Sequence, residues 1–184
     1  MSQKEKGKQT SAKIKLANLS QIPDIIKVEE KAWISTYPNS SAGITREDVA
    51  ERFDYIFKVK RAADIEAEMA DGGHSYRVLI RNGEIIGYTH LLRESDFNDF
   101  VEIYIMEDYQ GQGYGSMMFR DGLKWLKQNG KPIQLEVAVY NSKAKKIYEH
   151  YGFKENPTLS QLEGEDWNLL PSGKRIPVVF MVLK

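Results

Sequence analysis

Residues 110–116 read Gln-Gly-Gln-Gly-Tyr-Gly-Ser, and this stretch decides how the chain is interpreted. An apolar run, residues 101–106, precedes it, and a helix-like run, residues 117–128, follows it. Closely spaced glycines let a ligand approach the backbone, because no Cβ atom lies in the way. Free N–H groups at the start of a helix, together with the positive end of its dipole, attract anions. The order strand, glycine loop, helix therefore predicts a site for the pyrophosphate of a cofactor.

Two commoner glycine loops fit this stretch less well. A P-loop needs a lysine at the start of its helix, and the chain has none there. The dinucleotide-binding fingerprint G-x-G-x-x-G needs its third glycine at position 116, where the chain has Ser116. Glu136 nevertheless follows at roughly the distance of a ribose-binding acid, so a nicotinamide-dependent enzyme stays open as an alternative.

The composition is that of an ordinary folded domain. Among 184 residues, 41% are hydrophobic and 11% aromatic, which predicts one domain with a proper core. Lysine plus arginine and aspartate plus glutamate balance at 26 each, so no overall field favours nucleic acid or an anionic membrane. No apolar run reaches the roughly 18 residues of a membrane span. We therefore expect neither a nucleic-acid nor a membrane partner.

The lack of cysteine and the scarcity of histidine restrict the chemistry. The chain has 0 cysteines, which excludes disulfides, thiolate metal sites and a cysteine nucleophile. Its 3 histidines, His74, His90 and His150, form no H-x-x-x-H pair. The expectation is a cytoplasmic protein without a metal.

The chain divides into a tail and one domain. Residues 1–12 are polar and lysine-rich and are predicted to be a disordered tail, which leaves residues 13–184 as the folded domain. Within that domain, residues 156–176 form a long polar segment with Trp167, interpreted as a mobile cover.

Helix-forming patterns dominate the first third of the domain. Ser20 is a suitable N-cap for a first helix. Thr45 and Asp48 resemble a capping box that opens a second helix. The apolar stripe of this second helix includes Ile56, and its helical residues continue to Met69.

The rest of the domain alternates strands with two further helices. Asn82-Gly83 between two apolar runs is a strong hairpin signal, because a type I′ turn needs a positive φ twice. Asn129-Gly130 ends the helix after the glycine loop, and Asn141 caps a short helix that ends at Gly152. The resulting order, βααβββαβαββ, predicts an α+β fold, an α/β sandwich with helices on both faces of a mixed, mostly antiparallel sheet.

Three features in sequence order, the glycine loop, the strand at residues 135–137 and the run from Asn141 to Tyr148, resemble the GNAT superfamily of acetyl-CoA-dependent N-acetyltransferases. Gln110, Gly113 and Gly115 match its Gln-x-x-Gly-x-Gly motif, and residues 139–153, from Val-Tyr-Asn-Ser to Gly-Phe, match its C-terminal motif. The resemblance implies the GNAT fold, with a V-shaped splay between the fourth and fifth strands of the sheet. It also implies acetyl-CoA as co-substrate, in place of a nucleotide.

The resemblance assigns the donor-binding residues. The strand around Tyr104 would bind the pantetheine amides with its exposed backbone, as in strand addition. Backbone N–H groups of the glycine loop would hold the pyrophosphate. Asn141 would hydrogen-bond pantetheine or simply cap its helix. The implied set is Ile103, Tyr104, Ile105, Gln110, Gly111, Gln112, Gly113, Tyr114, Gly115, Ser116 and Asn141.

The resemblance also assigns an acid and a base. Tyr148 would protonate the leaving thiolate as general acid, and helix spacing alone equally suits a core tyrosine beside Tyr151. Glu136 would be the base that accepts a proton from the attacking amine, and its alternative role is a solvent-facing strand residue. Glu102 and Asp99 on the preceding strand are the rival bases.

The sequence says least about which residues bind the acceptor amine. Residues 32–38 resemble a segment of PaiA-like polyamine acetyltransferases, in which the first-helix region helps to wall the acceptor site. Trp33 and Tyr37 would then stack on an amine, although Trp33 also suits a hydrophobic anchor. Negative charge near this wall would come from Glu29, Glu30, Glu94 or Asp96.

The predicted function is transfer of an acetyl group from acetyl-CoA to a primary amine of a small molecule, polyamine, protein or peptide. Direct attack in a ternary complex is expected, because the chain has 0 cysteines to form a covalent acetyl-enzyme. The alternative is a CoA- or nucleotide-binding regulatory module without catalysis. Whether the protein forms a homodimer is left open.

Overall fold

The computed structural model describes residues 12–160 and 166–184. Nearly all of the predicted N-terminal tail and residues 161–165 of the polar segment lie outside the described residues. Within them, the strands are β1 (Lys13–Leu16), β2 (His74–Arg81), β3 (Glu84–Arg93), β4 (Asn98–Ile105), β5 (Ile133–Ala138), β6 (Lys154–Glu155) and β7 (Val178–Leu183). The α-helices are α1 (Ile22–Thr36), α2 (Arg46–Glu51), α3 (Tyr55–Ala70), α4 (Tyr114–Leu126), α5 (Ser142–His150) and α6 (Pro157–Ser160).

The strands form one sheet of 7 strands in the order β1-β2-β3-β4-β5-β7-β6. All neighbouring pairs are antiparallel except β4 and β5, which run parallel. That parallel pair is joined at the start of both strands alone, where Asn98 faces Ile133 and Asp99 faces Gln134. Beyond these residues the two strands diverge, which confirms the predicted splay between the fourth and fifth strands.

Helices cover both faces of the sheet, as predicted. On one face, α1 and α3 pack on β2 and β3 through a core that includes Ile25, Ile65, Tyr76 and Tyr88. On the other face, α4 and α5 pack through Phe119 and neighbouring side chains onto β4, β5 and β7. Burial of these apolar side chains stabilises the two layers at about 25 cal/mol per Å² of buried apolar surface. Across the described residues, no helix is both long and apolar enough to span a bilayer.

The prediction of one long second helix was wrong. Thr45 and Asp48 do form a capping box, but α2 ends at Glu51. Asp54 then caps α3 by accepting a hydrogen bond from the Phe57 N–H. Because α3 starts on its own cap with a new axis, Ile56 is 75% exposed and does not belong to the buried stripe.

The sequence predicted one turn correctly but misplaced the starts of two helices. Asn82 and Gly83 both adopt positive φ angles, 53° and 84°, which confirms the β2–β3 hairpin. Ser20 is not the first N-cap: Asn18 and Gln21 form a capping box around a short 3-10 turn, and α1 follows directly. The helix after the glycine loop begins at Tyr114, three positions before the predicted start, so the last glycine lies in its first turn.

Candidate active site

A cavity of about 1270 Å³ opens where β4 and β5 separate. Its wall is built from α1 and α3 on one face of the sheet, from the two diverging strands, and from the glycine loop and α5 on the other face. Most of the predicted site residues line it: Trp33, Tyr37, Ile103, Tyr104, Ile105, Gln110, Gly111, Gly113, Gly115, Ser116, Glu136, Asn141 and Tyr148. The cavity therefore connects the two faces through the gap in the sheet.

The glycine loop presents backbone N–H groups with no partner. Within the described residues, none of the six N–H groups from Gly111 to Ser116 donates to a protein acceptor, and the first helical bond runs from the Met117 N–H to the Gly113 carbonyl. Gly111 and Gly113 have φ angles of 75° and 84°, and open space surrounds the position of a Cβ at each. Unbonded N–H groups at the positive end of α4 fit the pyrophosphate of CoA.

Two loop side chains lie away from the cavity. The Gln112 side chain accepts from the Arg81 guanidinium and donates to the Asp108 carbonyl. The Tyr114 ring lies 5.9 Å below the same guanidinium. These two residues are therefore candidates for donor binding through their backbone N–H groups. Gln110 has a structural task, because its side chain donates to the Ile105 carbonyl and fixes the loop to β4.

The splay leaves one edge of β4 without a neighbouring strand. Tyr104 and Ile105 pair with β3 on their other side, through Tyr88 and Gly87. Beyond Asp99 no residue of β4 pairs with β5 in the described chain. An unpaired strand edge next to the glycine loop is suited to hydrogen bonding with the amides of an extended pantetheine chain.

Helix α5 brings Asn141 and Tyr148 to the cavity. The Asn141 side chain caps the helix by accepting from the Ala144 N–H at 3.1 Å. About two turns after Asn141, the Tyr148 ring packs on Phe119 and Phe153. Burial raises the pKa of Tyr148 to about 12, and its hydroxyl makes no hydrogen bond among the described residues. The phenol is therefore protonated at neutral pH and can donate a proton.

Glu136 lies across the gap, on β5. Its carboxylate accepts a hydrogen bond from the Trp167 indole N–H at 2.9 Å. The side chain is half-buried and lines the cavity. Trp167 comes from the predicted cover segment, so the described part of that segment contributes directly to the wall.

The rival bases have different surroundings. Glu102 accepts from the Arg61 guanidinium at 2.8 Å and from the Tyr88 hydroxyl at 3.0 Å. Although burial favours its protonated form, Arg61 and neighbouring donors hold the pKa of Glu102 at about 2. A carboxylate that is so firmly ionised and paired is a poor proton acceptor. Asp99 lies at the closed end of the splay and accepts from Gln134 at 3.2 Å.

Glu29 is an additional titratable group in the wall. It is 2% exposed and accepts from the Arg61 Nε at 3.1 Å. Burial, together with the nearby charge of Glu102, raises the pKa of Glu29 to about 7, against the opposing effect of Arg61. Of the other acidic candidates, Glu94 also lines the cavity, Glu30 pairs with Lys58, and Asp96 lies elsewhere.

The predicted acceptor wall is an aromatic cluster. Trp33 is 2% exposed and packs edge-on against Tyr37, Phe53 and Trp167. This packing supports the anchor role for Trp33 more than stacking on a ligand. The Tyr37 hydroxyl hydrogen-bonds the Tyr104 hydroxyl at 3.1 Å, which ties the wall to β4.

Two arginines of this wall were not predicted. The Arg52 guanidinium lies 4.4 Å over the Trp33 ring and donates to the Leu169 carbonyl at 3.4 Å, with no carboxylate at ion-pair distance among the described residues. Arg61 bonds Glu29 and Glu102 at once. A signal for Arg61 exists in the sequence, since it lies four residues after Phe57 and four before Ile65, on the apolar stripe of a helix. A charge at such a position needs a partner.

Comparison with known proteins agrees with this geometry. A profile of the acetyltransferase (GNAT) family matches residues 42–153. An N-alpha-acetyltransferase of Sulfurisphaera tokodaii is 28% identical over 182 residues, covering 90% of this chain and 94% of that protein. The ribosomal protein bS18-alanine N-acetyltransferase of Haemophilus influenzae is 36% identical over 78 residues, which are 42% of this chain and 53% of that protein.

Solved structures share the fold. The PaiA N-acetyltransferase from Thermoplasma acidophilum, in complex with coenzyme A, superposes with a TM-score of 0.73 at 18% identity, covering 95% of this chain and 99% of that one. The comparisons give no support to a non-catalytic module. The matched profile spans more than half of the chain. The chain therefore belongs to the acetyltransferase (GNAT) family and transfers an acetyl group from acetyl-CoA to an amine.

Proposed function

We propose that the acceptor is the α-amino group of a peptide or protein, with Tyr148 as general acid and Glu136 as base. The observation that carries this proposal is that both side chains line one cavity with the glycine loop, although they come from different elements. Acetyl-CoA would supply the acetyl group as a thioester. The free Tyr148 hydroxyl would donate its proton to the departing sulfur, and the Glu136 carboxylate would accept a proton from the amine, directly or through water.

The ionisation of the acceptor fits an α-amine. An attacking amine must be neutral, and an α-amino group has a pKa near 7.7–8.0, whereas a lysine amine has a pKa near 10.4. An α-ammonium group is therefore a much stronger acid than a lysine ammonium group, and a carboxylate base removes its proton more easily. Direct attack also requires both substrates to be bound together, so we expect intersecting initial-rate lines.

The charge of Arg52 is the feature of the acceptor wall that favours a peptide, although Glu29 and Glu94 line the same cavity. Arg52 places a guanidinium in the cavity wall without a carboxylate partner among the described residues. A fixed positive charge disfavours a ligand that carries several ammonium groups, and it can bond a peptide carbonyl or an acidic side chain. The similarity to an N-alpha-acetyltransferase over 90% of the chain supports the same class.

A polyamine is the second candidate, favoured by Glu29 and Glu94 in the same wall. An acceptor panel separates the two. Peptides with free and with blocked N-termini, spermidine and spermine are incubated with acetyl-CoA, CoA release is followed, and products are located by mass spectrometry. We expect acetyl groups on free peptide N-termini. Turnover of spermidine with all peptides inert would overturn the peptide proposal in favour of the polyamine.

Other expectations from the sequence stay predictions. These are a cytoplasmic location, the assignment of individual donor-binding residues, and the choice between a monomer and a homodimer. Gel filtration would measure the oligomeric state independently of activity.

A further inference from the structure

Three carboxylates share one guanidinium at the end of the cavity next to α3. Arg61 lies 3.1 Å from Glu29, 2.8 Å from Glu102 and 3.6 Å from Glu68. One guanidinium faces three carboxyl groups, all at least half-buried, so ionisation of all three would leave a surplus of negative charge. Such a surplus is costly in a poorly solvated place unless a further cation or proton compensates it.

Two of the chain's three histidines complete this cluster. The Nδ1 atom of His74 lies 2.8 Å from the Nε2 atom of His90, across the β2–β3 ladder. Each of Glu68, His74 and His90 offers a ligand atom, and these atoms all lie within 4.8 Å of one another. All three residues line the cavity. In a tetrahedral site, nitrogens about 2.0–2.1 Å from the metal lie roughly 3.3 Å apart, so the two rings would need to separate by about 0.5 Å to bind one ion.

The second nitrogen of His90 lies near a carboxylate. Its Nδ1 atom is 3.7 Å from the Glu102 carboxylate, which is beyond hydrogen-bond distance. The negative charge nevertheless favours the tautomer with its proton on Nδ1, and this tautomer leaves the lone pair of Nε2 for an ion.

We propose that Glu68, His74 and His90 bind a divalent transition-metal ion, zinc first, through one carboxylate oxygen and two imidazole nitrogens. Two histidines and one carboxylate form a known zinc ligand set, which leaves a fourth position for water or another ligand. The +2 charge of the ion would offset the excess negative charge around Arg61, and the ion would link α3 to β2 and β3.

The proposal runs against the metal-free expectation drawn from the sequence. Glu68 and His74 are six positions apart and His90 follows sixteen after His74, so no compact ligand motif is visible. The site includes neither Tyr148 nor Glu136, and it does not depend on the acceptor proposal. It would hold even for a variant that transfers no acetyl group.

Metal binding to the full chain tests the proposal. The protein is treated with a chelator, dialysed, and titrated calorimetrically with Zn²⁺. Co²⁺ then serves as a probe, because its visible absorption reports coordination by nitrogen and oxygen. We expect one equivalent of zinc, a metal-induced rise in Tm, and a Co²⁺ spectrum that zinc abolishes. In His74→Asn and Glu68→Gln we expect at least a tenfold loss of affinity, with Glu102→Gln losing 10–100-fold through the second nitrogen of His90.

His150→Asn is the matched control. It removes the third histidine, which lies at the end of α5 outside this cluster, and it should bind zinc as the wild type does. Circular dichroism of each metal-free variant checks the fold. No stoichiometric binding by the wild type, or equal binding by His74→Asn and wild type, would overturn the proposal. Because acetyl transfer is not the readout, failure here leaves the proposed function untouched.

Discussion

In Tyr148 the ring contributes to packing, and the hydroxyl is the group proposed to act as the acid. The ring packs on Phe119 and Phe153, while the hydroxyl has no protein partner among the described residues. Tyr148→Phe keeps the ring and removes the proton donor. We expect kcat to fall about 100-fold or more, since general acid catalysis contributes roughly 10²–10⁴, with little change in the affinity for acetyl-CoA. Steady-state kinetics measure both.

Tyr151→Phe is the control for that variant, because Tyr151 packs on the same Phe119 ring from the end of α5. It should leave kcat within a few-fold of the wild type. An unchanged kcat in Tyr148→Phe would remove the acid role and leave only a core tyrosine.

Glu136 is tested by pH dependence. Glu136→Gln keeps a group that can accept from the Trp167 indole, but it removes the base. If Glu136 accepts the amine proton, the rising limb of the kcat/KM profile should disappear in this variant. Glu102→Gln serves as the comparison, because a carboxyl with a pKa of about 2 cannot produce a limb near neutrality. A rising limb that stays in place in Glu136→Gln assigns the base elsewhere.

Glu29 links stability to pH. Its folded-state pKa of about 7 lies above the ordinary value of 4.5, so the fold favours the protonated form. Stability from this group is complete below pH 4.5 and is lost as pH rises through about 7. Relative to Glu29→Gln, the wild type should lose up to about 1.4 kcal/mol per pH unit across this window.

Denaturant melts of both proteins at several pH values, with a chelator present, measure the difference. A constant gap between wild type and Glu29→Gln from pH 4.5 to 8 would contradict a raised pKa. Arg61→Lys is expected to widen the effect, because lysine cannot bond both Glu29 and Glu102 in the same way.

At the scale of elements, the glycine loop offers a matched pair of substitutions. Gly113 and Gly130 have similar positive φ angles, 84° and 70°, and open space where a Cβ would lie. Gly113 is the N-cap of α4 at the cavity, and Gly130 ends the 3-10 turn that follows α4. Alanine in the left-handed region costs about 1–2 kcal/mol at either place.

Both Gly113→Ala and Gly130→Ala should therefore lose similar stability. Only Gly113→Ala should weaken acetyl-CoA binding, by about tenfold, because its strain opposes the loop conformation that presents the N–H groups. Calorimetric titration with CoA and thermal melts give the two quantities. Equal CoA affinity in both variants would argue against pyrophosphate binding at this loop.

For the molecule as a whole, a ligand that bridges the loop and the splayed strands should stabilise the entire fold. At about 100 times its Kd, acetyl-CoA should add ~2.7 kcal/mol and raise Tm by roughly 5–10 °C for a chain of this size. NADH and ATP are the controls and should give smaller shifts. An equal rise with NADH, and none with acetyl-CoA, would contradict the donor assignment.

The amino-acid sequence by itself determined the local features of this protein. The Asn82-Gly83 turn, the Thr45–Asp48 capping box and the Asn141 cap were all predicted correctly. Each depends on backbone conformations and hydrogen bonds among residues a few positions apart, which a short stretch of chain specifies alone. The order of these elements predicted an α/β sandwich with helices on both faces of the sheet, and the resemblance of its motifs to the GNAT superfamily supplied the splay.

The tertiary structure alone decided which side chains meet. It paired Glu102 with Arg61, 41 positions away, and so weakened a rival base. It enclosed Trp33 among rings from α1, the segment after α2 and the segment before β7. It also brought His74 and His90 to hydrogen-bonding distance. These contacts depend on how distant elements pack, because burial and charge pairing act through space, and no local spacing in the chain encodes them.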